Sequence, residues 1–235
     1  MANTTTLADL RNMAKRRADM ENSGYVSDAE WNDYINAAAG ELHDILVSKF
    51  GDDYYIKSST VSVIAGTDEY TLPSDFLKIR GVDHIASNTT TCALRRFEFE
   101  ERHTRKYLST TLASGFANLM YRTIGNKLKL VPVPQGSGML KLWYIPQFER
   151  LATDQDIVSD RLALSWEQFI VMTAAIAARD KEESDTSLLM AEKNLITRRI
   201  EEAAANRDAT EPHRVVDVER YDYGNIWDGA GDVYL

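Results

Sequence analysis

The sequence predicts an α+β protein: a helical bundle built from N- and C-terminal helix pairs, with an antiparallel β domain inserted between them. Three observations carry this. Apolar residues recur at helical spacing over about residues 7–50, and again from about 160 to 206. Between them, over 55–147, short alternating runs are punctuated by Gly, Pro and Asn. Beyond about Ala209 the periodicity stops, yet aromatic residues continue. The expected division is an N-terminal helical hairpin (1–54), the inserted β domain (55–147), a second helix pair (148–210) and an extended C-terminal docking tail (211–235).

The first helix is expected over about 7–20. Thr6 suits the N-cap, Asp9 the first turn, and Leu7, Leu10, Met13 and Ala14 form an apolar stripe. Glu21-Asn22-Ser23-Gly24 ends it. Ser27-Asp28-Ala29-Glu30 reads as a capping box that opens the second helix. Trp31, Tyr34, Ile35, Ala38, Leu42, Ile45 and Leu46 follow on one face, and Gly51-Asp52-Asp53 closes it.

The β insert begins with an alternating run at 60–63. A tight turn follows at Ala65-Gly66-Thr67, then a short return strand that stops at Pro73. Tyr70 and Leu72, two apart, share one face of that strand. Residues 76–85 read as a strand and 88–91 as a loop. Residues 95–107 read as a short charged helix, with Phe97 and Phe99 as partial anchors. Residues 120–124 and 127–131 flank Gly125-Asn126, a two-residue hairpin signal. Residues 139–145 form the last strand, stopped by Pro146.

The third helix is expected over 160–181, with Leu162, Trp166, Phe169, Ile170, Thr173, Ile176 and Ala177 on its apolar face. A charged connector at 180–185 leads to a fourth helix over 186–206, with Leu189, Ile196, Ile200 and Ala203 on one side. Arg198 and Arg199 suit the negative pole of its dipole.

Composition excludes several function classes. The chain has 235 residues, 44% hydrophobic and 27% charged, which is enough for a real core. Its net charge of −9 argues against tight duplex binding, which favours a basic surplus. No apolar run reaches the ~20 residues of a membrane span, and the polar first residues show no signal-peptide block. The lone Cys92 permits no intrachain disulfide, which fits use in cytosol.

No catalytic motif stands out. His43, His84, His103 and His213 form no His-x-x-x-His pair, and Cys92 has no neighbouring cysteine, so neither a zinc site nor a nucleophile pair is supported. The adjacent acids on helices diverge by about 100° and read as solvated faces. No phosphate loop, dinucleotide turn or nucleophile elbow appears. The expectation is no enzyme, no cofactor and no metal. Two basic clusters remain: Lys15-Arg16-Arg17, and Arg95, Arg96, Arg102, His103, Arg105 and Lys106. Each reads as a solvated face, as a contact surface for carboxylates on a neighbouring subunit or the portal, or, third in rank, as a DNA contact. Residues 211–235 hold six acids against two arginines, together with Tyr221, Tyr223, Ile226, Trp227, Tyr234 and Leu235. Disordered segments are poor in aromatics, so this one reads as a segment that docks elsewhere.

The chain resembles the head-to-tail adaptor (connector) proteins of tailed bacteriophages, most closely those of short-tailed phages. The matching phrases are Leu7-Ala8-Asp9-Leu10, Val26-Ser27-Asp28-Ala29-Glu30-Trp31-Asn32-Asp33-Tyr34-Ile35-Asn36 and Ala65-Gly66-Thr67-Asp68-Glu69-Tyr70-Thr71-Leu72-Pro73-Ser74-Asp75-Phe76. Later ones are Leu128-Lys129-Leu130-Val131-Pro132-Val133-Pro134 and Leu140-Lys141-Leu142-Trp143-Tyr144-Ile145-Pro146. The resemblance implies a twelve-fold homo-oligomeric ring under the capsid portal. Such a ring contacts the portal above and a tail nozzle or tube protein below. Double-stranded DNA passes through it without sequence-specific binding. It also implies a place in the virion neck, after assembly in the host cytoplasm. The tail residues named above then become candidates for portal binding, by position and chemistry. Arg95, Arg96, Arg102, Arg105 and Lys106 become candidates for the subunit interface. The alternatives are a tail-completion factor, or a small hydrolase or carbohydrate-binding module built on the β insert.

Overall fold

Leu7–Ala18 forms helix α1, and Thr6 caps it as expected. The Thr6 hydroxyl accepts from the Asp9 amide at 3.2 Å, and the Asp9 carboxylate accepts from the Thr6 amide at 3.0 Å. Two donors that the first turn leaves unpaired are thereby satisfied. The computed structural model describes residues 5–86, 90–102, 118–158 and 166–207. Asp28–Phe50 forms α2, and only half of its expected capping box is present. Ser27 accepts from the Glu30 amide at 3.4 Å. The Glu30 carboxylate turns away, accepting from Lys181 at 2.7 and 2.8 Å and from the Tyr34 hydroxyl at 3.0 Å. A cationic donor competes better for a carboxylate than a neutral amide does.

The later helices are α3 (Glu167–Lys181) and α4 (Ser187–Ala205). The expected start of α3, with Leu162, lies outside the described residues. Trp166 stands at the N-cap of α3 and is half-buried rather than buried. Within α3, Phe169, Ile170, Met172, Ala174, Ala175, Ile176 and Ala178 are all buried. A helix so apolar must be covered on several sides. It packs against α1, α2 and α4, and α1 and α2 each contact it more extensively than they contact each other. The helical hairpin expected over residues 7–50 is therefore spread around α3. On α4, Leu189 and Ile200 are buried, whereas Ala203 is exposed, contrary to expectation. Its last turn holds no basic residue, so Arg198 and Arg199 sit too early to meet the dipole.

The insert holds two sheets. The first has the order β1 (Lys57–Val63), β8 (Gly138–Pro146), β3 (Phe76–Ile85), β4 (Thr91–Ala93), antiparallel throughout. The second has the order β2 (Glu69–Thr71), β7 (Lys127–Val131), β6 (Met120–Ile124), β5 (Arg95–Arg96). Its β5–β6 pair is parallel, a departure from the expected all-antiparallel insert. Val63, Val82, Leu140, Leu142 and Tyr144 of the first sheet share one core with Tyr70, Leu128 and Leu130 of the second. The hairpin at Gly125-Asn126 forms as expected, with Ile124 opposite Lys127.

Two expectations fail in the insert. The turn at 64–67 forms, with Gly66 at φ +83° and the Thr67 amide donating to the Ile64 carbonyl at 3.1 Å. Its two strands, however, belong to different sheets, so no hairpin results. The Tyr70 side chain fills the corner: its hydroxyl accepts from the Ile64 amide at 3.0 Å and lies 2.8 Å from the Thr67 carbonyl. The chain crosses from one sheet to the other around that ring. Nor is 95–107 one helix. Arg95–Arg96 is a strand, Phe99–Arg102 a single 3₁₀ turn, and 103–117 lie outside the described residues. Phe97 is wholly buried with Met120 and Val131, which holds the backbone extended there.

The two cores meet at the end of β8. Alternation points Tyr144 between the sheets and Ile145 into the helical core. Nearby, the buried Asn36 side chain of α2 grips the chain leaving the insert. Its amide donates to the Leu151 carbonyl at 3.0 Å, and its oxygen accepts from the Leu151 amide at 2.8 Å.

Trp31 is fully buried. Trp31→Ala should cost about 3–5 kcal/mol in urea unfolding, and Trp166→Ala about 1 kcal/mol. A loss below about 1 kcal/mol for Trp31 would contradict its place in the core. Asn36→Ala leaves both Leu151 backbone groups unpaired and should cost about 1–3 kcal/mol in the same assay.

Candidate assembly surfaces

A cavity of about 1030 Å³ opens where the helical core meets the first sheet. His43, Tyr55 and Phe148 line one part of it, and Lys57, Asp75 and Arg150 another. His43 is 3% exposed, with its ring 4.8 Å from Tyr55 and 6.4 Å from Phe148. Burial pushes its imidazole below the ordinary value, and Asp44, 3.6 Å away, only partly opposes this. Lys57 donates to Asp75 at 2.6 Å and holds that carboxyl below its usual range; the Tyr144 hydroxyl donates to it at 2.8 Å. Arg150 pairs with Asp33. Lys57, Asp75 and Tyr144 join β1, the turn before β3 and β8 to one another, while Arg150 joins the chain after β8 to α2 through Asp33.

The first basic cluster is used inside the chain. Lys15 pairs with Asp28 at 2.6 Å, Arg16 with Glu21 at 3.1 Å, and Arg17 with Glu192 of α4. The second is different. Arg95 and Arg96 are exposed on the edge strand β5 and make no ion pair among the described residues. Arg102 sits with its guanidinium 4.1 Å from the Phe99 ring centroid and donates to the Phe99 carbonyl at 2.7 Å. Phe99, expected as an anchor, is 42% exposed. Arg122 of β6, missed in the sequence, lies 5.7 Å from the same ring and donates to the Phe97 carbonyl at 3.0 Å. Its only signal is being the one charge within the strand Met120–Ile124. The structure thus gathers Arg102 and Arg122 on Phe99, while Arg95 and Arg96, consecutive on β5, point to opposite faces of the strand. Arg105, Lys106 and His103 lie outside the described residues, as do Tyr221, Tyr223, Ile226, Trp227, Tyr234 and Leu235.

Cys92 is exposed on β4, opposite His84 in the β3–β4 register. Among the described residues no cluster of three or more His, Cys, Asp or Glu is placed to hold a metal ion. Among the same residues, no helix is long and apolar enough to cross a membrane.

Residues 5–216 match the SU10 adaptor protein family. The chain belongs to that family. It is a phage head-tail adaptor, and the family is one of structural adaptors. The match covers every described helix and strand and stops short of Tyr221. No curated protein matches the chain. For this adaptor, the salt-bridged cleft reads as the joint between its helical and β parts.

His43 is the group expected to make that joint pH-sensitive. The fold favours neutral His43, while the unfolded chain takes up a proton near pH 6.5. The unfolded state therefore binds more protons just below that pH. The contribution of His43 should be fully present above 6.5 and lost as pH falls through the depressed folded value. Urea midpoints of the wild type and His43→Phe, measured from about pH 8 to about pH 5, should show the acid-side slope reduced in the variant. An identical slope would remove His43 from this role.

Proposed function

We propose that this adaptor forms a twelve-fold homo-oligomeric ring that joins the portal to the tail, as in short-tailed phages. The ring extends the DNA channel and helps retain and release the genome. The observation that carries this is the family match over residues 5–216. Helical hairpin, β insert, second helix pair and tail (1–54, 55–147, 148–210, 211–235) each have a part in the ring. The helices form a bundle that acts as the rigid body, and the insert presents the arginine patch. The segment 211–235, extended, docks on the portal through Tyr221, Tyr223, Ile226, Trp227, Tyr234 and Leu235. Aromatic side chains are the commonest interface anchors. Arg95, Arg96 and Arg102, with Arg105 and Lys106, meet carboxylates of the neighbouring subunit. A surface patch that pairs with a different patch on the next copy closes into a ring when the rotation allows.

The net charge of −9 supports a conduit. An acidic wall repels phosphate and lets DNA slide past without sequence-specific binding. A tail nozzle or tube protein binds below. The complex resides in the virion neck after assembly in the host cytoplasm, and acts without catalysis.

Mixing the full chain with purified portal and sizing the product by native mass spectrometry tests the ring. Twelve adaptor copies per portal are expected, and no co-assembly would overturn the reading. The double variant Trp227→Ala/Tyr234→Ala should lose portal binding while its melting temperature stays nearly unchanged. Full-affinity binding would remove the tail as the docking element. Raising salt should weaken subunit association, and Arg95→Ala/Arg96→Ala should abolish that salt dependence. Association that strengthens with salt would point to an apolar interface.

A further inference from the structure

Among the described residues, helices pack on helices and strands on strands, and no helix packs extensively on a strand. The buried side chains divide in the same way. One core lies among the helices and another between the sheets. Ile145 is the one described strand residue buried in the helical core, and its neighbour Tyr144 already belongs to the other.

The chain crosses between the two parts twice, and each crossing is short. On the way out, Tyr55 is buried in the helical core, and Lys57 opens β1 two residues later. Ile56 alone lies between them. On the way back, the Gln147 amide donates to the Asp75 carbonyl at 2.7 Å, and its side chain donates to the Phe76 carbonyl at 3.1 Å. These bonds fix Gln147 to the insert. The next residue, Phe148, packs against the helical core, with its ring 6.4 Å from that of His43.

The cleft of about 1030 Å³ lies beside these crossings. His43, Tyr55 and Phe148 form its helical wall, and Lys57, Ser74 and Asp75 its insert wall. Protein interiors are close-packed, so a gap of this size leaves the two walls room to approach. Two ion pairs brace the joint without lining the cleft. Asp52 and Asp53, just after α2, pair with Lys78 and Arg80 of β3 at 2.6 and 3.0 Å. Their four side chains are 41% to 67% exposed. Exposed pairs of this kind are worth little each and weaken as salt rises.

We infer that the β insert rocks on the helical body as a unit. It pivots at Ile145, with Ile56 and the Gln147–Phe148 link as hinges, and the motion opens and closes the cleft. The pairs Asp52–Lys78 and Asp53–Arg80 are the latch that holds one orientation. A hinge needs only a few backbone angles to change, so both cores stay packed while the insert turns. Phe99, Arg102 and Arg122 ride on the insert, and the latch sets their direction relative to the helices. The motion belongs to the single chain and does not rest on the ring.

Double electron–electron resonance on the nitroxide-labelled full chain tests this. Ser48→Cys with the native Cys92 spans the joint. Ser74→Cys with Cys92 lies within the insert, and Ser48→Cys/Leu188→Cys, in a Cys92→Ser background, lies within the helical body. All four labelled positions are exposed. In the latch variant Asp52→Asn/Asp53→Asn, the distance distribution across the joint should broaden and shift, while both internal pairs keep their widths. Raising salt should broaden the unlatched direction of the parent chain in the same way, because screening weakens exposed pairs. A distribution across the joint that stays as narrow as the internal ones in the latch variant would overturn the proposal. Internal pairs that broaden together with it would also overturn it, by showing that one part loosens instead of turning as a unit.

Discussion

The structure depends on the need to cover α3. Its buried residues point in nearly every direction, from Phe169 and Ile170 to Ala174, Ala175 and Ala178. One neighbour cannot dry such a surface. The chain meets the need with α1 and α2 from one end and α4 from the other. The insert is therefore constrained at both ends. It must leave α2 and return close to where it left. The sheet order achieves this, because its first and last strands are neighbours and Lys57 lies opposite Tyr144. The arrangement requires closing a long loop before the helical contacts form, an entropic cost that grows slowly with length.

The same constraint explains where the polar links lie. Arg11 of α1 donates to both Asp154 oxygens at 2.8 and 3.1 Å and to Asn32 of α2 at 3.0 Å. It thus clamps α1, α2 and the chain after β8. Asn36 clamps the same chain at Leu151 from within the core. The Arg11 contacts are partly exposed and worth little each; the Asn36 pair is buried, where an unpaired group is expensive. Buried hydrogen bonding and the two-sided burial of β8 hold the helices to the sheets. Surface charge plays the smaller part.

Much of the local structure was legible because it rests on short-range chemistry. The Thr6 cap, the Gly125-Asn126 hairpin and the faces of Tyr70 and Leu72 needed only neighbouring residues. The misread elements depend on distant partners. Glu30 abandoned its cap for Lys181, 151 residues away. The strand after Gly66 crossed to a second sheet because Tyr70 fills the corner and β7 waits on the far side. The segment from Arg95 looked helical by charge spacing, yet burial of Phe97 against Met120 and Val131 outweighs that weak preference. At the candidate surface, Arg95, Arg96 and Arg102 were legible as a cluster. Arg122 was not, because only strand pairing brings it to Phe99.

Charge placement gives the two basic clusters different surroundings. Lys15, Arg16 and Arg17 each have a carboxylate partner within the chain, so a second partner would have to displace the first. Arg95 and Arg96 have none among the described residues, and Phe99, a few residues along the chain, is open to solvent. A guanidinium already stacked on an aromatic ring, as Arg102 is on Phe99, has lost part of its conformational freedom before any partner arrives. Binding a carboxylate there costs less ordering than binding one at a free lysine. In an acidic adaptor such a patch is scarce, and every copy carries it together with many carboxylates. In the proposed ring, pairing between unlike surfaces of identical copies would use that imbalance, which is the condition for head-to-tail closure.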